Sequence, residues 1–127
     1  MTLLWVVLAG GLGAMLRFGV DRGIERAVRR PTVAGIVVVN LLGSFILGAI
    51  VGSSIHSLGP TPLPQMSPMT YAVLTAGFCG GFTTFSTAMA DSLRLMKTGK
   101  GGLALFHLFG TFAGAVIACQ LGYAFFA

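Results

Sequence analysis

Residues 33–55 have the sequence VAGIVVVNLLGSFILGAIVGSSI, which contains no charged side chain. An α-helix needs about 20 consecutive apolar residues to cross a bilayer, so this stretch is long enough to span one. Three further apolar stretches lie at about 2–20, 69–96 and 102–126. The sequence therefore predicts an all-α membrane protein with four transmembrane helices, in a single domain that covers residues 1–127.

The composition argues against a soluble fold. Of the 127 residues, 9% are charged and 55% are hydrophobic, whereas a soluble domain carries about 25% charged residues. The predicted surroundings are a lipid bilayer. Because acyl chains are as apolar as leucine, the helices must associate through close packing. Small residues four positions apart, such as Gly48 with Gly52 and Gly110 with Gly114, predict such contacts.

The positive charges predict the orientation of the chain. All eight Lys and Arg residues flank two loops, at 21–32 and 96–101, and none lies in the proline-rich segment HSLGPTPLPQMSP at 56–68. Loops rich in Lys and Arg stay in the cytoplasm, so both loops are predicted to be cytoplasmic. Since the charges serve topology, we expect no nucleic-acid partner.

The third apolar stretch contains the most polar segment of any predicted span, AGFCGGFTTFSTAMAD at 76–91. Glycines followed by hydroxyl residues weaken a helix, and irregular backbone at membrane depth is tolerated only inside protein or along a wet cavity. Broken helices of this kind coordinate ions in channels and transporters. The segment predicts a broken third helix at an ion path. The alternative is a simple kink whose hydroxyls bond back to the preceding turn.

Two other polar side chains lie within apolar stretches, Asn40 in the second and Thr111 in the fourth. Each either holds neighbouring helices together or faces the polar segment of the third helix. Arg17, near the cytoplasmic end of the first helix, is either an interfacial anchor or a charge at the mouth of an ion path. No Asp or Glu lies in mid-span, which counts against a small proton-coupled drug exporter. No arrangement of nucleophile and base is present, so we expect no enzyme.

The residue types leave two kinds of ion open. Hydroxyls, an amide and the positive edges of aromatic rings can replace the hydration shell of a small anion. Main-chain carbonyls freed by a broken helix can instead hold a small cation.

Three segments resemble the signature sequences of the CrcB/Fluc fluoride channels: GGLGAMLRF at 10–18, VVVNLLGSFILG at 37–48 and GFCGGFTTFST at 77–87. The resemblance extends along all four apolar stretches in order. It implies a passive fluoride channel in the plasma membrane of a prokaryote, which exports fluoride from the cytoplasm and relieves fluoride toxicity. It also implies a two-pore dimer of antiparallel subunits.

The resemblance assigns roles by position in these segments. It places Arg17 at a vestibule and implies a structural Na⁺ held by the main-chain carbonyls of Gly80 and Thr83. The residues that it implies contact fluoride in the pore are Asn40, Phe85, Ser86, Thr87 and Thr111.

One position departs from the family pattern. The usual run TTFSTF ends in a second pore phenylalanine, whereas this chain has Ala88 there. The one-sided distribution of Lys and Arg also predicts a single orientation, while an antiparallel homodimer needs both. The dimer is therefore formed either with a second copy or with a paralogous subunit. The second case leaves two roles open for this chain, a conducting subunit or a non-conducting structural partner.

Overall fold

The computed structural model describes residues 1–29, 32–56 and 66–127. Within these ranges every regular element is helical, which confirms the predicted all-α class. The proline-rich segment, apart from its ends, and the pair at 30–31 lie outside the described residues. The elements are α1 (Thr2–Val28), α2 (Ala34–His56), α3 (Pro68–Ala72), a π-helix, π1 (Val73–Cys79), α4 (Gly80–Phe82), α5 (Phe85–Lys97) and α6 (Gly101–Phe126).

Three helices of the described part of the chain are long and apolar enough to cross a membrane: α1, α2 as far as residue 55, and α6. Most of the large apolar side chains of α1 and α6 are exposed, including Trp5, Phe106 and Phe125. A soluble monomer rarely exposes apolar surface of this extent. Acyl chains can cover it instead, and the chain is a multi-pass membrane protein.

The first helix is longer than predicted. The apolar pattern predicts that this helix ends at residue 20 and that a loop follows at 21–32. In the structure, α1 continues to Val28. Arg22 stabilises the extra turns, because its guanidinium lies 3.3 Å from the Glu25 carboxylate and 5.2 Å from the centre of the Phe18 ring. Contacts three or four residues apart support a helix. The helix ends at Arg29, whose left-handed backbone (φ 57°) is a common helix terminator.

Helices α2 and α6 pack along each other and form the most extensive interface of the chain. Glycines make the close approach possible. A Cβ atom at Gly52 would lie 2.6 Å from the Tyr123 carbonyl oxygen, and one at Gly48 would lie 2.9 Å from the Tyr123 nitrogen. Gly122 meets the backbone of α2 in the same way, with a Cβ position 3.0 Å from the Ala49 nitrogen. This is the small-residue packing expected of helices in lipid.

Helix α1 packs on π1 and α4 instead. The α3, π1 and α4 elements are continuous, because the residues at their junctions all have right-handed helical dihedral angles. Residues 68–82 therefore form one rod, which begins with the Ser67 hydroxyl accepting from the Thr70 N–H at 3.1 Å. The rod ends at Thr83 and Thr84, whose backbones are extended. Helix α5 starts directly afterwards. The third transmembrane helix predicted from the sequence, at about 69–96, is therefore interrupted by these two residues, and we call it the third helix below.

Candidate functional site

The interruption of the third helix is held open by a side chain from α2. Asn40 Nδ2 donates to the Thr84 carbonyl oxygen at 3.0 Å, and the Thr84 N–H donates to Asn40 Oδ1 at 2.9 Å. Asn40 is only 9% exposed. One amide therefore satisfies both backbone groups of a residue that lies 44 positions further along the chain.

This pairing diverts the hydrogen bonds that would close the helix. In a continuous helix the N–H of residue i donates to the carbonyl of residue i−4, so the Thr84 N–H would bond to Gly80 and the Thr87 N–H to Thr83. The Thr84 N–H bonds to Asn40 instead, and the Thr87 N–H bonds to Thr84 Oγ1 at 3.4 Å. The carbonyl oxygens of Gly80 and Thr83 are consequently released from their usual donors.

A groove of about 690 Å³ opens beside the interruption. It brings together five of the residues singled out from the sequence, although they come from α2, the 68–82 rod, α5 and α6. Those five residues are Asn40, Gly80, Thr83, Phe85 and Thr111. Much of the remaining wall is apolar, with Leu47, Leu108, Phe109 and Phe112. The groove is thus an apolar channel-like depression with its polar groups gathered where the helix breaks.

Three of the predicted site residues do not line this groove: Arg17, Ser86 and Thr87. Ser86 and Thr87 are nevertheless linked to it, since both hydroxyl oxygens lie 3.3 Å from Thr84 Oγ1, and Thr84 is part of the wall. Arg17 lies on α1, which packs against the other side of the 68–82 rod.

The aromatic and hydroxyl groups of the wall differ in how firmly they are held. Phe85 is 71% exposed, so its ring lies at the open side of the groove. Thr111 is buried, and its hydroxyl donates back to the His107 carbonyl one turn earlier on α6. The bond to its own helix does not join Thr111 to a neighbouring helix. The oxygen lone pairs of Thr111 stay available. The hydroxyl proton must leave the His107 carbonyl before it can be donated to an anion.

The donor set also fits a hard cation better than a transition metal. No group of three or more His, Cys, Asp or Glu side chains in the described ranges can hold a metal ion. The released carbonyls of Gly80 and Thr83 are neutral oxygen donors, the ligand type that hard cations prefer. Two carbonyls are fewer than the six or more oxygens, roughly, that such an ion takes, so one chain alone does not complete a cation site.

One residue of the site, Thr84, has no role predicted for it from the sequence. Thr84 supplies the backbone partner of Asn40, and its extended conformation directly before a helix is typical of an N-cap residue. The signal present in the sequence is the residue type, because threonine is one of the preferred N-cap residues. Ala88, the departure from the family pattern, is 3% exposed and lines the groove.

The apolar helices and the polar groove define the class as a multi-pass helical membrane protein. The family model described as "CrcB-like protein, Camphor Resistance (CrcB)" matches residues 4–123, and the chain belongs to this family.

Its relatives include proteins named fluoride-specific ion channel FluC 2 from Cutibacterium acnes and fluoride-specific ion channel FluC from Gloeobacter violaceus. The first is 40% identical, in a match that covers 98% of this chain and 96% of the relative. The second is 34% identical, in a match that covers 93% of this chain and 90% of the relative. A third, FluC from Parabacteroides distasonis, is 33% identical over 92% and 86%.

Proposed function

We propose that the chain is a subunit of a fluoride-selective channel that passively exports fluoride from the cytoplasm and so relieves fluoride toxicity. The observation that carries the proposal is the Asn40–Thr84 pairing, which holds a helix open beside an uncharged groove. The names of the relatives supply the ion. The chain acts as a channel and has no enzymatic role.

The groups around the groove are suited to replacing the water around a small anion. Asn40 uses one N–H on Thr84 and keeps a second for an ion. The hydroxyls of Ser86 and Thr87 offer further donors, and Thr111 can join them once its proton leaves the His107 carbonyl. The Phe85 ring can present its positive edge to the anion. None of the described residues that line the groove is charged. An ion can therefore bind weakly enough to leave again, as conduction requires.

In this proposal the membrane is crossed four times. The 68–82 rod and α5 together form the third crossing, and its interruption is half-buried along the groove, where irregular backbone is tolerated. The Lys and Arg residues around the segments at 21–32 and 96–101 support a cytoplasmic location for both. Since the relatives named above are bacterial, we assign the chain to the plasma membrane of a prokaryote. Arg17 lies towards the cytoplasmic end of α1 and serves as a charge at the vestibule.

A second subunit completes the path. Phe85, Phe109 and Phe112 all line the groove and are all largely exposed, so one wall is missing from the single chain. An antiparallel subunit, either a second copy or a paralogous chain, supplies that wall. Such a dimer also brings the carbonyls of Gly80 and Thr83 from both subunits towards a shared axis, which gives four oxygens for a structural Na⁺.

The alternative function is a non-conducting structural partner in a heterodimeric fluoride channel. Ala88 favours it, since a groove-lining position lacks the ring found in the family pattern. The one-sided positive charge favours it too, because a chain that inserts in one direction needs a partner of opposite orientation.

Growth of a bacterium without its own fluoride exporters tests the proposal and separates the alternatives. A conducting subunit expressed alone restores growth in fluoride, and Phe85→Ile, which removes the aromatic edge, abolishes the rescue. A non-conducting partner gives no rescue alone but does so when expressed with a paralogous subunit. A chain that never alters fluoride sensitivity contradicts both functions.

A further inference from the structure

Thr84 is the most constrained residue of the helix interruption. Its N–H and carbonyl both bond to the Asn40 side chain, so its backbone is fixed relative to α2. Its hydroxyl caps α5 by accepting from the Thr87 N–H at 3.4 Å. Its position in the groove wall makes it the connection between the groove and the hydroxyls of α5.

The Thr84 hydroxyl is also the centre of a three-hydroxyl cluster. Ser86 Oγ and Thr87 Oγ1 each lie 3.3 Å from Thr84 Oγ1. Hydroxyl pairs usually approach to about 2.7–2.8 Å, so these bonds are long, and the protons can reorient at little cost.

The number of donors in the cluster limits what it can offer an anion. A hydroxyl has one proton and two acceptor lone pairs. One lone pair of Thr84 accepts from the Thr87 N–H, which leaves one lone pair and one proton for its two hydroxyl neighbours. When Thr84 donates to Ser86, Thr87 can donate to Thr84, and the Ser86 proton is free. When Thr84 donates to Thr87, the roles of the two neighbours are reversed.

We propose that Thr84 is a positioning residue for fluoride conduction, whose hydroxyl determines whether Ser86 or Thr87 presents its proton to the anion. The inference rests on the proposed function and adds a residue to it. Rotation of three O–H groups transfers the free proton from one hydroxyl to the next without loss of a hydrogen bond. Fluoride accepts hydrogen bonds strongly, so it can follow the free donor along α5.

Two substitutions at this position separate the hydroxyl from the shape of the side chain. Thr84→Val keeps the branched shape and removes the hydroxyl, whereas Thr84→Ser keeps the hydroxyl and removes the methyl group. Thr98→Val is the matched control, because Thr98 lies just past the other end of α5 and its hydroxyl bonds to the Leu95 carbonyl. Fluoride and chloride efflux from liposomes is measured for all three variants and for the unsubstituted protein.

Thr84→Val is expected to slow fluoride efflux by about tenfold or more, because it removes the partner that orients the Ser86 and Thr87 protons and so weakens a hydrogen bond to the ion. It is also expected to lower the ratio of fluoride to chloride efflux. Thr84→Ser and Thr98→Val are expected to stay within roughly twofold of the unsubstituted protein, as surface or conservative changes do. Loss of the cap alone reduces the amount of folded protein and leaves the ratio unchanged, so an unchanged ratio overturns the inference. Equal efflux of fluoride in Thr84→Val and the unsubstituted protein overturns it as well. Absence of fluoride efflux from the unsubstituted protein, both alone and together with a paralogous subunit, refutes the proposed function itself.

Discussion

Removal of the Asn40 side-chain amide tests the structural basis of the site. In Asn40→Leu, which is close to isosteric, the two hydrogen bonds to Thr84 at 3.0 and 2.9 Å are both lost. Side-chain hydrogen bonds between membrane helices contribute about 0.6 kcal/mol each on average, which sets a lower limit of about 1.2 kcal/mol. If the Thr84 N–H and carbonyl stay buried without partners, each costs about 1–3 kcal/mol, so the upper limit is about 6 kcal/mol.

The free energy of unfolding in mixed detergent, followed by helical circular dichroism, measures this loss. We expect a value between the two limits. A loss near 1 kcal/mol indicates that Thr84 has turned back to bond with the Gly80 carbonyl and closed the helix. Ser54→Ala is the control, because the Ser54 hydroxyl donates to the Ile50 carbonyl on its own helix. It should change the free energy by less than about 0.5 kcal/mol.

Fluoride efflux of the same variants tests the functional consequence. Because a closed helix and a missing amide both remove groups from the groove, Asn40→Leu should slow efflux by about tenfold or more. An Asn40→Leu protein that is as stable as the unsubstituted one and conducts fluoride equally well refutes the reasoning.

Three further predictions concern packing, the groove wall and the cation. Gly122→Ala should lower the free energy of unfolding by more than about 1 kcal/mol, because a Cβ there meets the backbone of α2. Gly110→Ala should be tolerated, since no atom of the described residues lies within 4 Å of its Cβ position. Equal stability of the two variants would contradict this account of the α2–α6 interface. Ala88→Phe should raise fluoride efflux, because it places a ring in the groove wall, and unchanged or lower efflux would show that the missing ring does not limit conduction. Replacement of Na⁺ by a large organic cation in all solutions should weaken the dimer, which size-exclusion chromatography measures. A dimer of unchanged stability would argue against a cation at Gly80 and Thr83.

The sequence was sufficient to predict the class of protein and the location of the helix interruption. Low charge and long apolar stretches decide for a bilayer, and glycines followed by hydroxyl residues mark where a helix is weakest. The broken third helix was therefore predictable to within a few residues, and its two extended residues are Thr83 and Thr84.

The details that depend on tertiary contacts were harder to predict. Periodicity could not place the end of α1, because the turns beyond residue 20 are polar and are stabilised by local charge contacts around Arg22. The two extended residues rotate α5 by an amount that the sequence does not specify. For this reason Phe85 lines the groove while Ser86 and Thr87 reach it only through Thr84.

The similar spacing of glycines also hid a difference between them. Gly48 and Gly52 contact the backbone of α6, as their spacing predicted. Gly110 has the same spacing to Gly114, but its Cβ position has no neighbour within 4 Å in the part of the chain that the structure describes. Spacing alone identifies a face of a helix, and the fold decides which helix, if any, covers that face.

The measurement that tests the central claim most directly compares fluoride and chloride efflux from liposomes that contain only this chain, with Phe85→Ile alongside. We predict that fluoride leaves rapidly, that chloride is retained, and that Phe85→Ile slows the release of fluoride. Fluoride release no faster than from protein-free liposomes, or chloride release as fast as that of fluoride, would contradict the assignment of this groove as a fluoride path.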